Sequence, residues 1–397
     1  MKKYLASVVV CLAASSWTAE IMAELAPGAD PKEIAAAFDL TLIDVTPQAP
    51  FAYFGVPQGQ DPEEVEAAME LHPSVVWAEE DEDLEMPEHS GAGKATTIGA
   101  VGDPNAFYEL NAAFLAQINW IPNGSAFAMR EVRVAVLDTG LSPRQPFLWE
   151  SVVASANMVE SNLHAFDLPR GVDTNGNGFF DEAAGHGTMV SGIIAQMAPH
   201  SKLIVVRVAD SDGYTTAWRL IKGIAFAVTS GAEVANVSLG SLESINAMSD
   251  FLDWTETRGI LIVGAAGNNG LPSAFFPASY SEMLSVSAID PQNLKAPFSN
   301  WDSSVDMAAP GTGIKSFYWD GNMAIWSGTS FSSPMAAATL AIGLEYVRRG
   351  ILPEILRDLL ISTGDDIDPL NDPEYSGKIG QRINVRRFVI AMRVLPH

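Results

Sequence analysis

The hydrophobic positions follow two different patterns, separated by a stretch of glycine and other small residues from Met86 to Pro104. The C-terminal part contains continuous apolar runs that alternate with helical segments, one of which spans Thr216 to Gly231. These runs read VRVAVLD, KLIVVRV, VANVSLG, ILIVGAAG and MLSVSAI. Continuous apolar strands between helices are typical of a parallel sheet that is buried on both faces. The sequence therefore predicts an α/β fold with a doubly wound parallel sheet and helices on both faces.

The part before the small-residue stretch predicts a small α+β module. Its apolar segments give the order strand, helix, strand, strand, helix, strand. Asp30 and Asp61 each precede a proline, which predicts two helices with an aspartate N-cap and a proline in the first turn. Between Trp17 and Ser90 there are 18 acidic residues and one basic residue, Lys32. Most of the net charge of −25 therefore belongs to this module, and a charge of this sign argues against nucleic acid or an anionic membrane as a partner.

The N-terminus predicts an export signal. Lys2 and Lys3 precede an apolar run that ends at Ala14 and is too short to span a bilayer. Ala14 and Ser16 then form a small-residue cleavage motif, and the alternative is a buried N-terminal strand. The single cysteine, Cys11, lies inside this segment, and Val10 before it is a poor fit to a lipid-acylation site. We therefore expect a secreted protein, extracellular or periplasmic, without disulfides or stable membrane association.

Three polar residues stand at positions typical of catalysis. Asp138 ends the strand in VAVLDTG, at the carboxyl edge where parallel sheets place their chemistry. It is consistent with half of an aspartic-protease pair, with an aspartate that orients a histidine, or with an ordinary strand end. His186 begins a helix in GHGTMVSG, and Ser330 precedes a long apolar helix in SGTSFSSPMAA. Taken alone, the histidine is consistent with a structural role and the serine with an N-cap.

Together these segments resemble the active-site blocks of subtilisin-like serine proteases, the subtilases. VAVLDTG, GHGTMVSG and GTSFSSPMAA occur in the family's order, and GAEVANVSLG, AAGNNG, FFPASY, FSNWDSSVDMAAPG and GKIGQRIN follow the same pattern. An aspartic protease of this length needs two Asp-Thr-Gly loops, and the chain has one. The resemblance, from about Phe107 to the C-terminus, implies a subtilisin-like fold and a serine endopeptidase. It departs from the family at Phe331, where methionine is usual, and at Met189, where histidine is common.

The resemblance also implies the roles of individual residues. Asp138, His186 and Ser330 form the triad, and Asn268 supplies the oxyanion hole with the backbone N–H of Ser330. An extended peptide or protein substrate lies between two strand edges, which here contain Gly213 and Tyr214 on one side and Ser238, Leu239 and Gly240 on the other. Phe275 lies at the base of the primary pocket, with Ala274 as the alternative. The competing hypothesis is an inert subtilase-fold binding module.

The acidic module resembles the inhibitor prodomain of subtilases. The predicted organisation is a signal peptide at 1–16, a prodomain at 17–88, a cleavable linker at 89–104 and a catalytic domain at 105–397. The resemblance implies that the module acts as an intramolecular inhibitor whose tail runs into the active site. We expect self-cleavage between Met86 and Pro104, and a monomeric product.

One loop predicts a structural calcium ion. Asp173, Asn175 and Asn177 alternate and Gly178 follows, as in the first half of an EF-hand loop. The twelfth position is Ala184, so the closing carboxylate must come from Asp181 or Glu182. The alternative is a polar glycine–asparagine loop without metal, and no organic cofactor is expected.

Overall fold

The computed structural model describes residues 17–46, 49–87, 94–122, 130–160, 164–347 and 350–395, without the side chains of residues 100, 101, 246 and 247. The predicted signal peptide, including Cys11, and residues 88–93 of the predicted linker lie outside the described residues. The chain divides into two compact units, Met1–Asp81 and Glu82–His397.

The first unit contains a four-stranded antiparallel sheet in the order β2-β3-β1-β4. Its elements are β1 (Trp17–Leu25), α1 (Pro31–Ala37), β2 (Thr41–Val45), β3 (Phe51–Pro57), α2 (Pro62–Glu70) and β4 (Val75–Glu80). The Asp30 carboxylate accepts a hydrogen bond from the backbone N–H of Lys32, and Asp61 accepts one from Glu63, so both aspartate caps are confirmed. The order of elements agrees with the sequence pattern.

The second unit is built on an eight-stranded sheet whose neighbouring strands are all parallel, in the order β17-β14-β13-β12-β11-β7-β9-β8. Its strands are β7 (Arg133–Asp138), β8 (Val152–Asn157), β9 (Lys202–Arg207), β11 (Val234–Val237), β12 (Leu261–Ala265), β13 (Met283–Ile289), β14 (Met307–Pro310) and β17 (Gln381–Arg382). All five strands expected from the apolar runs are present. The strand order reverses direction at β7, and such reversal points are where α/β sheets hold their sites.

Helices cover both faces of this sheet. Val134 and Val136 of β7 belong to the same core cluster as helices α6 and α9, whereas Leu137 lies against Gly223 of α7. Because successive side chains of a strand point to opposite faces, α6 and α9 cover one face and α7 the other. The helices are α3 (Pro104–Leu110), α4 (Ala112–Gln117), α5 (Pro146–Trp149), α6 (His186–Met197), α7 (Ala217–Thr229), α8 (Asn246–Glu256), α9 (Thr329–Leu344), α10 (Pro353–Ser362) and α11 (Val385–Arg393).

Two smaller sheets complete the second unit. Strand β5 (Asp83–Glu85) pairs with β10 (Tyr214–Thr216), and β6 (Thr96–Val101) joins the hairpin of β15 (Ile314–Phe317) and β16 (Asn322–Trp326). Strand β6 shows that part of the predicted linker over 89–104 has regular structure, and residues 96–99 of it are exposed. Its run of threonine and apolar residues extends the edge of a hairpin that would otherwise leave backbone groups unpaired.

No helix in the described ranges is long and apolar enough to cross a membrane.

Candidate active site

Asp138 and His186 meet at the carboxyl edge of the parallel sheet. Asp138 is the last residue of β7, and His186 is the first residue of α6. The Asp138 Oδ1 atom lies 2.8 Å from His186 Nδ1, and both side chains are fully buried. The backbone N–H of Thr139 donates a second hydrogen bond to the same oxygen at 2.8 Å. The carboxylate therefore fixes the orientation of the imidazole ring and favours the tautomer with a proton on Nδ1.

Two glycines allow His186 to approach the end of β7 this closely. Gly185, the N-cap of α6, has a φ of 93°, and a Cβ there would lie 2.3 Å from the ring of Tyr318. A Cβ at Gly187 would lie 2.4 Å from the carbonyl oxygen of Gly140 and 3.0 Å from Asp138 Oδ1. A larger residue at Gly187 would separate the helix from the end of β7, and a larger residue at Gly185 would clash with Tyr318. This explains the glycines that flank the histidine in the sequence.

The N-terminus of α6 is held by acceptors from other segments. The first N–H groups of a helix have no partner within the helix. Here Gly187 N–H donates to Thr139 Oγ1 at 2.9 Å. Gly185 N–H and Thr188 N–H donate to the carboxylate of Asp167 at 2.8 and 3.0 Å, and the Thr188 hydroxyl donates to it at 2.6 Å. The position of His186 thus depends on Asp167.

Asp167 was not expected from the sequence. It lies in an irregular segment, AFDLPRG, which carries no recognisable motif. Its side chain is fully buried. Burial raises the pKa of this carboxyl, while the hydrogen bonds from Thr188 and Gly185 and the charge of Arg207 act in the opposite direction. The only sequence signal was a polar residue in a loop between two elements of the buried sheet.

Ser330 lies in the first turn of α9, whose sixteen residues are all buried. The prediction that Ser330 precedes this helix is wrong. The helix begins at Thr329, so Pro334 lies inside it. Since proline has no N–H, the carbonyl of Ser330 receives no hydrogen bond from Pro334. It accepts instead from the hydroxyl of Ser238, at 3.4 Å, just beyond the end of β11.

The Ser330 hydroxyl is itself buried and makes no hydrogen bond within the described part of the chain. Phe331, the residue that departs from the family pattern, packs with its ring centroid 5.3 Å from that of His186. Trp326 contacts the same imidazole edge-on at 5.5 Å. These two rings place the imidazole in an apolar surrounding next to the start of α9.

Asn268 lies just beyond the end of β12, next to the start of α9. Its Oδ1 atom accepts hydrogen bonds from the backbone N–H of Thr329 at 2.9 Å and from the Thr329 hydroxyl at 3.0 Å. With its oxygen directed at Thr329, the side-chain amide of Asn268 is fixed in orientation beside the start of α9. Donors at the N-terminus of a helix and on a neighbouring side chain are a suitable pair for a developing oxyanion.

The two predicted strand edges enclose a segment of the chain itself. Strand β5 pairs antiparallel with β10, and Tyr214 is opposite Glu85. On the other side, Glu85 N–H donates to the carbonyl of Gly240 at 3.2 Å, and Gly240 N–H donates back at 3.0 Å. Met86 N–H donates to the carbonyl of Gly213 at 3.1 Å. Glu85 and Met86 are therefore held between the two edges by backbone hydrogen bonds.

Comparison with known proteins identifies the family of this chain. The model of the subtilase family matches residues 129–381, which include Asp138, His186, Asn268 and Ser330. The chain belongs to the subtilase family. This is the family of the subtilisin-like serine proteases.

The similarity extends to individual subtilases. The chain is 33% identical over 244 residues to "Thermophilic serine proteinase" of Bacillus sp. strain AK1, covering 59% of this chain and 56% of that protein. It is 30% identical over 291 residues to "Alkaline elastase YaB" of Bacillus sp. strain YaB, covering 71% and 67%. It is 32% identical over 238 residues to "Thermitase" of Thermoactinomyces vulgaris, covering 59% and 81%. The matched region thus spans little more than half of the AK1 proteinase.

A solved structure shows the same fold. Fervidolysin from Fervidobacterium pennivorans, described as a keratinolytic enzyme related to subtilisin, superimposes with a TM-score of 0.73. The match covers 94% of this chain and 61% of fervidolysin at 20% sequence identity. The subtilisin-like α/β fold predicted from the sequence is therefore confirmed.

The ring of Phe275 lies between the segments that contain Gly240 and Gly267. A Cβ at Gly267 would lie 2.8 Å from Phe275 Cδ1, and one at Gly240 would lie 3.2 Å from Phe275 Cδ2. The ring thus packs against the cleft edge on one side and against the residue before Asn268 on the other. Ala274, the alternative base residue, clusters instead with Ala266 and Val305.

The side chains of the predicted calcium loop accept hydrogen bonds from backbone N–H groups within the loop. Asp173 Oδ2 accepts from Gly178 N–H at 3.0 Å, whereas its Oδ1 is buried and has no hydrogen-bond partner in the described residues. The side-chain oxygens of Asn175 and Asn177 accept backbone N–H groups two residues further on. In the described residues, no three His, Cys, Asp or Glu side chains group closely enough to hold a metal.

Asp181 and Glu182 differ in their relation to this loop. Asp181 accepts from the N–H groups of residues 170–172 and from the Ser211 hydroxyl, and these hydrogen bonds lower its pKa against the opposing effect of burial. Glu182 accepts from the side-chain amide of Asn177 and forms an ion pair with Lys94 at 2.7 Å. Of the two candidates for a closing carboxylate, Glu182 is the one in contact with the loop's asparagines.

Proposed function

We propose that this subtilase is a serine endopeptidase that cleaves proteins or peptides through an acyl-enzyme. The observation that carries the proposal is the buried hydrogen bond between Asp138 and His186, whose ring packs against Phe331, the residue after Ser330. In the reaction, His186 takes the proton of the Ser330 hydroxyl as this oxygen attacks the scissile carbonyl. Asp138 holds the ring and stabilises the imidazolium that forms. His186 then returns the proton to the leaving amine.

Asn268 and the backbone N–H of Ser330 stabilise the tetrahedral oxyanion in this proposal. The contacts of Asn268 Oδ1 with Thr329 support this role, because they fix the amide plane before substrate arrives. Water then hydrolyses the acyl-enzyme with His186 as general base. The hydrogen bond between Ser330 and His186 forms when substrate is in place, as is common for catalytic contacts.

The experiment that tests this function is hydrolysis of an unstructured protein such as casein by the full chain after expression and purification. Ser330→Ala should reduce hydrolysis to background, since no other group replaces the nucleophile. Ser191→Ala is the control, because Ser191 is also buried but lies within α6. Equal hydrolysis by Ser330→Ala and wild type would assign the activity to another group or to a contaminating protease, and no hydrolysis by any form would favour an inert binding module.

We further propose that residues Glu82–Met86 act as a product-like inhibitor in an unprocessed form. Their backbone pairing with β10 and Gly240 supports this, as does the burial of Leu84 and Met86, which are 0% and 1% exposed, next to the exposed Asp83 and Glu85. Strand β6 belongs to the second unit, so the cut that releases the acidic module falls between Met86 and Thr96.

A structural calcium ion in the loop around Asp173 is also part of the proposal. The support is the buried Asp173 Oδ1 that lacks a donor, with Asn175, Asn177 and Glu182 as further oxygen ligands. The ion would supply only stability, as a cross-link in a protein whose single cysteine lies in the predicted signal peptide. We also propose that the enzyme is secreted, as its N-terminal signal pattern predicts, and that it acts as a monomer.

A further inference from the structure

Asp167 and Arg207 are two fully buried charged residues that the proposed reaction does not use. Arg207 is the last residue of β9 and is paired in register with Asp138 on β7. Its side chain is the largest fully buried side chain in the described residues. Charged side chains are almost never buried completely unless other groups compensate them. Two such residues next to the catalytic pair therefore call for a physical explanation.

Arg207 contacts the backbone next to the strand that contains Asp138. Its Nη1 donates to the carbonyl of Thr139 at 2.6 Å and to that of Phe166 at 3.5 Å. Glu160 lies 3.9 Å from its Nη2. The guanidinium thus fixes the backbone immediately after Asp138 and the residue immediately before Asp167.

Asp167 contacts the start of the helix that contains His186. As described above, its carboxylate accepts the N–H groups of Gly185 and Thr188 and the Thr188 hydroxyl. The Thr188 hydroxyl oxygen in turn accepts from Ser142 N–H at 2.9 Å, in the loop that follows Asp138. The opposite charges of Asp167 and Arg207 attract each other, and each lessens the cost of burying the other.

We propose that Asp167 and Arg207 are positioning residues that hold the backbones of Asp138 and His186 in register for proton transfer. Asp167 fixes the start of α6, and Arg207 fixes the end of β7. Because their charges are opposite, each residue reduces the free-energy cost of burying the other. This inference rests on the proposed function, since it concerns the rate of the same reaction. Neither side chain is assigned a contact with substrate.

The test uses Asp167→Asn, Arg207→Met and the double variant in the full chain. Asparagine can cap a helix as well as aspartate, so Asp167→Asn removes the charge and keeps an acceptor for the helix. We expect kcat for a peptide substrate to fall ~10- to 100-fold with KM unchanged, because small misplacement of catalytic groups affects the reaction step more than binding. The double variant should lose less than the product of the two single losses, because it contains no unbalanced buried charge.

The control is Glu345→Gln, which removes a fully buried carboxylate at the far end of α9, where it accepts from Ser201. It should lower the melting temperature without changing kcat measured well below that temperature. If Asp167→Asn does the same, Asp167 is only structural and the proposal is overturned. If Asp167→Asn does not fold, Thr188→Val serves as the test variant instead. It removes one hydroxyl donor to Asp167, and a smaller fall in kcat is expected.

A second readout does not require activity. The Nδ1 proton of His186, hydrogen-bonded to Asp138, is expected to give a proton NMR signal at very low field in the Ser330→Ala background. Asp167→Asn should broaden or shift this signal, and Glu345→Gln should leave it in place. An unchanged signal in Asp167→Asn contradicts the positioning role. If wild type does not hydrolyse any substrate, the proposed function is contradicted. The NMR comparison would still test whether Asp167 positions His186.

Discussion

Ser330 shows how the chemistry of one residue depends on residues far away in the chain. Its carbonyl is freed from the helix by Pro334 and accepts a hydrogen bond from Ser238, which follows a central strand. The side chain of Ser238 also lies within hydrogen-bond distance of Asn236 and Ser333. These contacts anchor the first turn of α9, and with it the nucleophile, to the end of β11.

At the same scale, Phe275 is expected to limit the size of the side chain before the cleaved bond. Its ring fills space between Gly240 and Gly267, so alanine, valine or leucine should be preferred over phenylalanine. Each misfitting methylene costs about 1–3 kcal/mol in an apolar pocket. Phe275→Gly should therefore raise kcat/KM for substrates with phenylalanine at this position relative to alanine.

The control for this prediction is Phe276→Gly, which removes the neighbouring ring that packs on Tyr280. A panel of peptides with alanine, leucine or phenylalanine at the cleaved position gives the ranking for each form. A wild type that already prefers phenylalanine, or a ranking unchanged in Phe275→Gly, means that Phe275 does not set the pocket.

The residues that could be predicted from the sequence are those whose neighbours along the chain form a pattern. Asp138, His186, Ser330 and Asn268 stand in short motifs, and the structure brings the aspartate and histidine together at 2.8 Å. Asp167 and Arg207 could not be predicted as part of the site, because one lies in an irregular loop and the other reads as an ordinary strand end. Their contacts arise only from the packing of distant segments.

At the scale of elements, the buried strands were predictable because they are continuous apolar runs that end near the site. Strand β8 was missed because its side chains are only partly buried, β14 because it has only four residues, and β17 because it has only two. Strand β6 was taken for a linker, since its glycine and small residues resemble an exposed segment. Its pairing with β16 depends on a hairpin more than two hundred residues away in sequence.

The loop from Asp173 to Glu182 is the element whose stability we expect to depend on calcium. Calcium that binds only the folded state stabilises it by about 2.7 kcal/mol at a hundredfold excess over Kd. Saturating calcium should therefore raise the melting temperature of wild type, and Asp173→Ala should remove that increase. Asp358→Ala, a change of an exposed aspartate on α10, is the control and should keep the full response. A response that is equal in wild type and Asp173→Ala would place the metal elsewhere.

At the scale of the whole molecule, the uneven charge and the bound tail both point to processing. Residues 17–90 carry most of the negative charge, and Glu82–Met86, which belong to the second unit, pair with the cleft edges of that same unit. Ser330→Ala, expressed as the full chain in a protease-deficient host, should accumulate uncut between Met86 and Thr96, whereas wild type should be cut there. Intact-mass spectrometry distinguishes the two forms. Cleavage of Ser330→Ala at the same position would show that another protease processes the chain.

The most direct test of the account is covalent labelling of the purified protein with a fluorophosphonate, which reacts with a serine activated by a neighbouring base. Labelling should be measured on the processed wild type, in which the tail no longer occupies the cleft. We predict a single adduct on Ser330 by peptide mapping in wild type. After an added protease has cut both variants between Met86 and Thr96, we predict no adduct in Ser330→Ala and strongly reduced labelling in His186→Ala. A processed, folded wild type that stays unlabelled, or an adduct on any serine other than Ser330, would contradict the claim that Asp138, His186 and Ser330 form a working catalytic triad.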